Sequence, residues 1–384
     1  MSSKPLKIKL VSLFSGAGGL DAGFEAVRLG ETQVFETVWA NEYDRAIYRT
    51  YKAAFPGVKL HEGSITEVSA DDLVSPSGES LVSQRDTPLG LIGGPPCQSW
   101  SSAGAKRGKD DHRGQLFWDY IRILGLVKPA FFVAENVPGI LAQRNSQALS
   151  DILSDFAMAG YNVTYAKLNA AFHDVPEDRE RVIFVGIRSD LEMPKSFHFP
   201  LPSKFDTAGR PVKMVLADLP SLRELASTAV PYNPAKPDSQ QNEFMEGSFS
   251  PLFMSRNRCR TWDSPSFTIQ ATARHAPIHP DHGEMRKVGT DLFEFNPGKP
   301  FRRLSVRECA EIQTFAKTHR FIYDSVADGY KMIGNAVPVN LAKAVATSIA
   351  EYLVLLGDIP PAPRALAKGK QAVFVNPYRK FFEK

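Results

Sequence analysis

Three short stretches set reactive side chains where a backbone could aim them. In LIGGPPCQSW, residues 91–100, Cys97 is one of three cysteines and stands behind two prolines at the end of an apolar run. A thiolate is a strong nucleophile, and two prolines freeze the backbone that directs it. Burial in an apolar core is the commoner fate of a lone cysteine, but prolines, glycines and polar residues crowd this one. In AENVPG, Glu135 and Asn136 close an apolar strand, so Glu135 is a candidate proton donor there; capping a helix is its plainer use. In DVPEDRERVIFVGIR, Arg179 and Arg181 are two apart and share a face if the strand has begun. They could grip a phosphate or a base edge, or line a solvated edge.

A fourth stretch, LFSGAGGLDAGF, follows a strand and opens a helix. Glycines there let the backbone approach a ligand closely. Glu42, 23 positions past Gly19, is the first acid after the second strand, a spacing at which a carboxylate commonly accepts from ribose hydroxyls. Asp21 takes the last glycine's place of the strict dinucleotide pattern. A nucleoside-containing cofactor is the reading that strand, turn, helix and acid share; a tight turn without a ligand is the alternative.

These residues need a scaffold, and the first half of the chain supplies one. IKLVSLF, ETVWAN, Val58–His61, Leu89–Gly93 and AFFVAEN read as strands alternating with helical patterns at Leu20–Leu29, Asp44–Phe55 and Gln115–Val127. Ser146–Ala159 is a further helix, and Val163–Leu168 and Arg181–Ile187 complete the strands. The pattern predicts an α/β, doubly wound Rossmann-like mixed sheet with ligands above the strands' C-terminal ends. Cys97 and Glu135 then share one edge, and the glycine-rich stretch after Cys97 could form a mobile lid. From Arg188 onward prolines and polar residues dominate, with strands such as SFTIQAT, as in a second, smaller irregular domain. Helix signals return at LSVRECAEIQTF, where Ser305 and Glu308 form a capping box, and from about Pro338 to Leu355.

Composition excludes several classes. The 384 residues are 43% hydrophobic and 23% charged, as in soluble globular proteins, and no apolar run approaches the ~18 residues of a membrane span. Three scattered cysteines support neither a disulfide framework nor a zinc site, and a reducing cytoplasm is the expected home. Cys259 and Cys309 read as ordinary buried thiols. Of the net charge of +4, the segment from Ile359 holds six Lys/Arg and one Glu, so the body is about neutral. Any case for nucleic acid must therefore rest on sites.

Together FSGAGGLDAGF, ANEYD, GGPPCQSWS, RGQLFWDYIRI, AENVPGI, VPEDRERVIFVGIR, RECAEIQTF and GNAVPVNLA resemble, in order, the DNA cytosine carbon-5 methyltransferases. The resemblance implies that Cys97 attacks carbon 6 of an extruded cytosine and that Glu135 bonds or protonates ring nitrogen 3. It also implies that Arg181, and with it Arg179, holds the base oxygen and nearby phosphate. The cofactor implied is S-adenosylmethionine, held by Phe14, Gly16, Gly18, Gly19, Leu20, Glu42, Tyr43, Ser64, Ile65, Pro95, Leu116, Asn335, Ala336 and Val337. Ser64 stands where many members have Asp, and Glu177 where many have Gln. Duplex DNA would meet Gln98, Ser101 and Arg113 of the lid and Arg256, Arg258, Arg260 and Arg274 of the recognition segment. That segment looks most like bacterial modification enzymes that methylate GGCC and are paired with a cognate restriction endonuclease.

The domain reading is a discontinuous catalytic domain of residues 1–190 and 316–358, a target-recognition domain of 191–315, and a basic tail of 359–384, peripheral or loosely on DNA. A monomer near the bacterial nucleoid is expected. The alternatives are a transfer-RNA cytosine methyltransferase of the same fold and an NAD oxidoreductase.

Overall fold

The computed structural model describes residues 7–82, 89–96, 112–191, 196–203, 209–217, 219, 242–357, 359 and 365–378. Its centre is one eight-stranded sheet. Seven strands come from the first half of the chain: β1 (Ile8–Leu13), β2 (Phe35–Glu42), β3 (Lys59–Glu62), β4 (Leu89–Gly93), β5 (Phe131–Asn136), β6 (Tyr161–Asn169) and β7 (Glu180–Arg188). The eighth, β8 (Val373–Phe374), comes from the tail. The order is β8-β6-β7-β5-β4-β1-β2-β3. Only β7 runs antiparallel to its neighbours, so the predicted mixed, doubly wound sheet is the one observed.

The central strands read as unbroken apolar runs because both faces are covered. In β5, Phe131 and Val133 face α1 (Gly19–Glu25) and a long C-terminal helix, while Phe132 and Ala134 face α3 (His112–Val127) and α4 (Ser146–Met158). Between α1 and α3 in sequence, α2 (Tyr48–Ala54) flanks β3. α5 (Val306–Ile312) starts at the predicted capping box: Ser305 Oγ accepts from Glu308 N at 3.1 Å and Glu308 Oε2 accepts from Ser305 N at 2.7 Å. α6 (Val326–Asn335) follows, then the long α7 (Val339–Val354).

Several expectations are corrected. The helix after the glycine turn stops at Glu25, and Arg28–Leu29 instead pairs with Thr32–Gln33 in a small hairpin. Helix α6 was not foreseen, although Ser325 caps it by accepting from Asp328 N. SFTIQAT contributes only Ser266–Phe267 as strand, because the backbone of Ile269 bonds to side chains rather than to a ladder. The tail is no loose appendage in its described part. β8 pairs with β6, and Tyr378 is buried, its hydroxyl accepting from Asn169 N at 3.1 Å and bonding His173 Nε2 at 2.7 Å. Burial pulls the His173 imidazole down to about 4.

Cys259 and Cys309 are buried free thiols, as expected. Burial pushes Cys259 up to about 12 and Cys309 well above its ordinary range. No helix among the described residues is long and apolar enough to cross a membrane.

Candidate active site

The glycine turn leaves β1 through left-handed backbone at Phe14, Gly16 and Gly18, with φ of 53°, 55° and 79°. Phe14 is the costly one, since a bulky side chain rarely adopts that region. Glu42, at the end of the neighbouring β2, secures the turn. Its Oε2 accepts from Gly16 N at 2.8 Å, and its Oε1 from Tyr43 N at 2.9 Å and Asp44 N at 2.7 Å. Burial raises its pKa, and these three amide donors oppose that rise. Beside it Tyr43 is 74% exposed. Ser64 is committed locally, accepting from Thr66 N at 3.3 Å and capping the turn of Ile65.

The C-terminal block reaches the same turn. A Cβ at Gly19 would lie 2.2 Å from the carbonyl oxygen of Val337, so only glycine lets α1 start against that strand of backbone. Asn335 is exposed, whereas Ala336 and Val337 are buried beside the turn. Leu20 is buried at the start of α1, and Leu116 packs partly buried on the α3 face of the sheet. Sequence positions more than 300 apart thus meet at one turn.

The second constellation lies two strands over from β1. Glu135 ends β5 opposite Ile183 of β7, and Arg181 two residues earlier reaches it: Nε to Oε1 is 2.7 Å, with both side chains 12% exposed. Pairs this short and this shielded are strong, directional contacts. A Cβ at Gly94 would come within 2.9 Å of Glu135 Oε2, which places the GGPP backbone directly against the acid. Asn136 fixes that backbone further, donating to the Pro95 carbonyl at 3.2 Å while accepting from Val137 N at 2.8 Å. Pro95 itself is buried. Cys97, Gln98 and Ser101 lie outside the described residues, as does the side chain of Arg113. The route into Cys97, however, is anchored beside Glu135.

Arg179 is the correction. Its side chain is 1% exposed, and it donates to the carbonyls of Ile269 at 2.8 Å, Gly334 at 2.8 Å and Ala336 at 3.0 Å. A guanidinium spent on three buried carbonyls does not grip a phosphate or a base. Glu177, also fully buried, accompanies it at 3.6 Å. Of the four arginines expected at DNA, Arg256 and Arg274 are exposed. Arg258 donates to the carbonyls of Phe253 and Leu252, and Arg260 lies over the Phe267 ring at 4.2 Å and 3.7 Å from Asp178. This segment is held by an arginine that patterning gave no hint of. Arg303 donates to the carbonyls of Met245, Gly247, Ser248 and Arg274. A cavity of about 820 Å³ lined by His198, Phe199, Lys343, Thr347 and Glu351 contains none of the sequence-predicted site residues.

The arrangement sets a glycine turn closed by Glu42 on the same sheet edge as an acid–guanidinium pair and an anchored backbone. Comparison with known proteins agrees. The chain is 46% identical over 350 residues to the Type II methyltransferase M.NgoPII of Neisseria gonorrhoeae, covering 90% of this chain and 96% of that protein. It is 45% identical over 354 residues to M.FnuDI of Fusobacterium nucleatum, covering 90% and 95%. A solved DNMT2 variant from Spodoptera frugiperda shares the fold, with a TM-score of 0.62 at 17% identity over 92% of this chain and 100% of that one. The model of the C-5 cytosine-specific DNA methylases matches residues 8–351, and the chain belongs to that family.

Proposed function

We propose that this protein is a Type II DNA methyltransferase that methylates carbon 5 of cytosine within a short site of duplex DNA, as the modification partner of a restriction endonuclease. The observation that carries the reading is the shielded Glu135–Arg181 pair set against the backbone that leads into Cys97. The family match and the Type II relatives favour DNA over the transfer-RNA and oxidoreductase alternatives.

Cytosine carbon 5 is a poor nucleophile while the ring stays aromatic. The Cys97 thiolate forms a bond to carbon 6, and the displaced π electrons gather at carbon 5 and ring nitrogen 3, a case of covalent catalysis. Glu135 hydrogen-bonds or protonates nitrogen 3, and Arg181 holds Glu135 in place while facing the base oxygen. Carbon 5 would then take the electrophilic methyl group that bound S-adenosylmethionine would supply, the sulfur–methyl bond breaking with its electron pair left on sulfur as a thioether. Loss of the carbon-5 proton to a base returns an electron pair to the ring and expels the sulfur as thiolate. Both ring faces and the Watson–Crick edge are needed, so the base leaves the stack.

The cleft suits S-adenosylmethionine. A Cβ at Gly16 would meet nothing within 4 Å, so the turn is open there, and Ser15 Oγ is buried without a hydrogen-bond partner in the protein. The Glu42 carboxylate has acceptor capacity beyond its three amide bonds. Glu42 would hold the ribose, Phe14, Tyr43, Ser64 and Ile65 the adenine, and Gly16, Gly18, Gly19, Leu20, Pro95, Leu116, Asn335, Ala336 and Val337 the remainder. When bound, the cofactor supplies an electrophilic methyl group on a sulfonium.

Target reading is proposed for residues 191–315, with Arg256 and Arg274 as the exposed readers and GGCC as the site. Methylation of random-sequence duplexes, mapped base by base, tests the whole. The expected product is 5-methylcytosine at one position of GGCC. A methyl group on adenine or on an exocyclic nitrogen would overturn the reaction, and 5-methylcytosine in another context would overturn only the site.

A further inference from the structure

Glu177 and Arg179 take no part in the chemistry above, yet each touches more than one functional segment. Glu177 Oε1 accepts from the amide of Ile269 at 2.6 Å, and Arg179 donates to the carbonyl of the same residue. Ile269 follows the strand Ser266–Phe267, which pairs with Glu177–Asp178 in parallel register. The recognition segment is therefore gripped at both backbone groups of one residue. The other Nη of Arg179 donates to Gly334 and Ala336. Those carbonyls lie at the last turn of α6 and its cap, and the next residue, Val337, abuts Gly19 of the glycine turn. Contact between the two segments is also direct, since a Cβ at Gly334 would fall 2.3 Å from the backbone of Gln270 and Ala271. Two residues beyond Arg179, Arg181 holds Glu135.

A buried carbonyl stripped of its donor is costly, and three of them converge on one guanidinium. Burial pulls the Arg179 pKa down to about 10, so the group stays charged at neutral pH. An apolar side chain of similar size would fill the space but bind none of the carbonyls. The recognition segment and the wall of the cofactor cleft are thus tied through one ion pair.

We infer that Glu177 and Arg179 are positioning residues that couple DNA recognition to cofactor binding. Cognate DNA that fixes the recognition segment also fixes the 334–337 turn, and so tightens the cofactor site. By linkage, cofactor tightens DNA by the same factor. The inference rests on the functional reading given above.

The test is calorimetric titration of S-adenosylhomocysteine, the cofactor after methyl loss, with and without a saturating GGCC duplex. Wild type, Glu177→Gln, Arg179→Lys and Arg179→Met are compared. The wild-type affinity ratio is expected to be about 5-fold or more, and within about twofold of unity in Arg179→Met, each ligand still binding alone. Glu177→Gln should keep the ratio, because an amide oxygen still accepts from Ile269 N. Should Arg179→Met fail to fold, Arg179→Lys decides: one ammonium cannot span three carbonyls, and its ratio should fall to less than half. A folded Arg179 variant with the full ratio, or a wild type that methylates DNA without coupling, overturns the inference. A wild type that neither binds nor methylates the duplex instead overturns the functional reading.

Discussion

Glu135 and Arg181 sit 2.7 Å apart at the end of β5 and β7, and each has a separable effect. Glu135→Gln keeps a hydrogen-bonding group but cannot deliver a proton, so kcat should fall by about 10²–10⁴. Arg181→Ala leaves the acid misaimed and should lower kcat by about 10²–10³. Neither change should disturb binding of S-adenosylhomocysteine, measured by the same titration. Asp21 offers a pH-dependent check on the glycine turn. It is fully buried, accepts a hydrogen bond from the Tyr51 hydroxyl at 2.9 Å, and is pushed up to about 7 by desolvation. A folded pKa above the unfolded value of 3.8 favours the fold below pH 4, and that advantage is lost as pH rises through 7. Asp21→Asn removes the titration, so its stability relative to wild type should climb between pH 4 and 8 in denaturant melts. A flat difference would refute the assignment. Sequence made the places of Glu135, Arg181 and Glu42 legible because strand ends and glycine turns mark the ligand edge of such sheets, while Cys97 lies outside the described residues. It misplaced Arg179 because β7 begins only at Glu180. The shared-face rule therefore does not reach back to residue 179, which lies between two different sheets.

Among the elements, the tail departs furthest from what composition suggests. Its charge pointed to solvent or DNA, yet β8 extends the sheet and Tyr378 closes it over His173 and Asn169. A glycine aids the closure, since a Cβ at Gly369 would lie 1.9 Å from the Tyr161 carbonyl oxygen. The two-residue strand was too short to register as a pattern. Tyr378→Phe leaves the Asn169 amide and the His173 ring without this partner and should cost about 1–3 kcal/mol in equilibrium denaturation. Methylation by the folded variant should be unchanged. The irregular segment of residues 242–304 escaped patterning for a related reason. Its order comes from arginines donating to carbonyls: Arg303 gathers residues 245–248 and 274, and Arg302 grips Glu308 through two bonds of 2.7 Å. Such contacts have no period along the chain. The sheet strands, by contrast, were foreseen within a residue or two at most ends, because apolar runs covered on both faces leave little choice.

Across the whole molecule, one sheet edge collects the glycine turn, the GGPP backbone and Glu135. β1 and β2 end at the glycine turn, β4 and β5 end at the GGPP backbone and Glu135, and Arg179 ties Ile269 to the 334–336 backbone beside that turn. Arg256 and Arg274, the proposed readers, are exposed on a body that is nearly neutral. Alanine at either position should weaken cognate DNA by about 1–3 kcal/mol while leaving kcat at saturating DNA little changed. The other two cysteines are buried thiols held protonated, which makes the identity of the nucleophile open to one direct measurement. A GGCC duplex carrying 5-fluorocytosine at the target, incubated with enzyme and S-adenosylmethionine, cannot lose a proton from carbon 5 and should trap the sulfur–carbon bond. Peptide mass spectrometry is expected to find the adduct on Cys97 and to find none after Cys97→Ser. An adduct on Cys259 or Cys309, or undiminished methyl transfer by Cys97→Ser, would contradict the account.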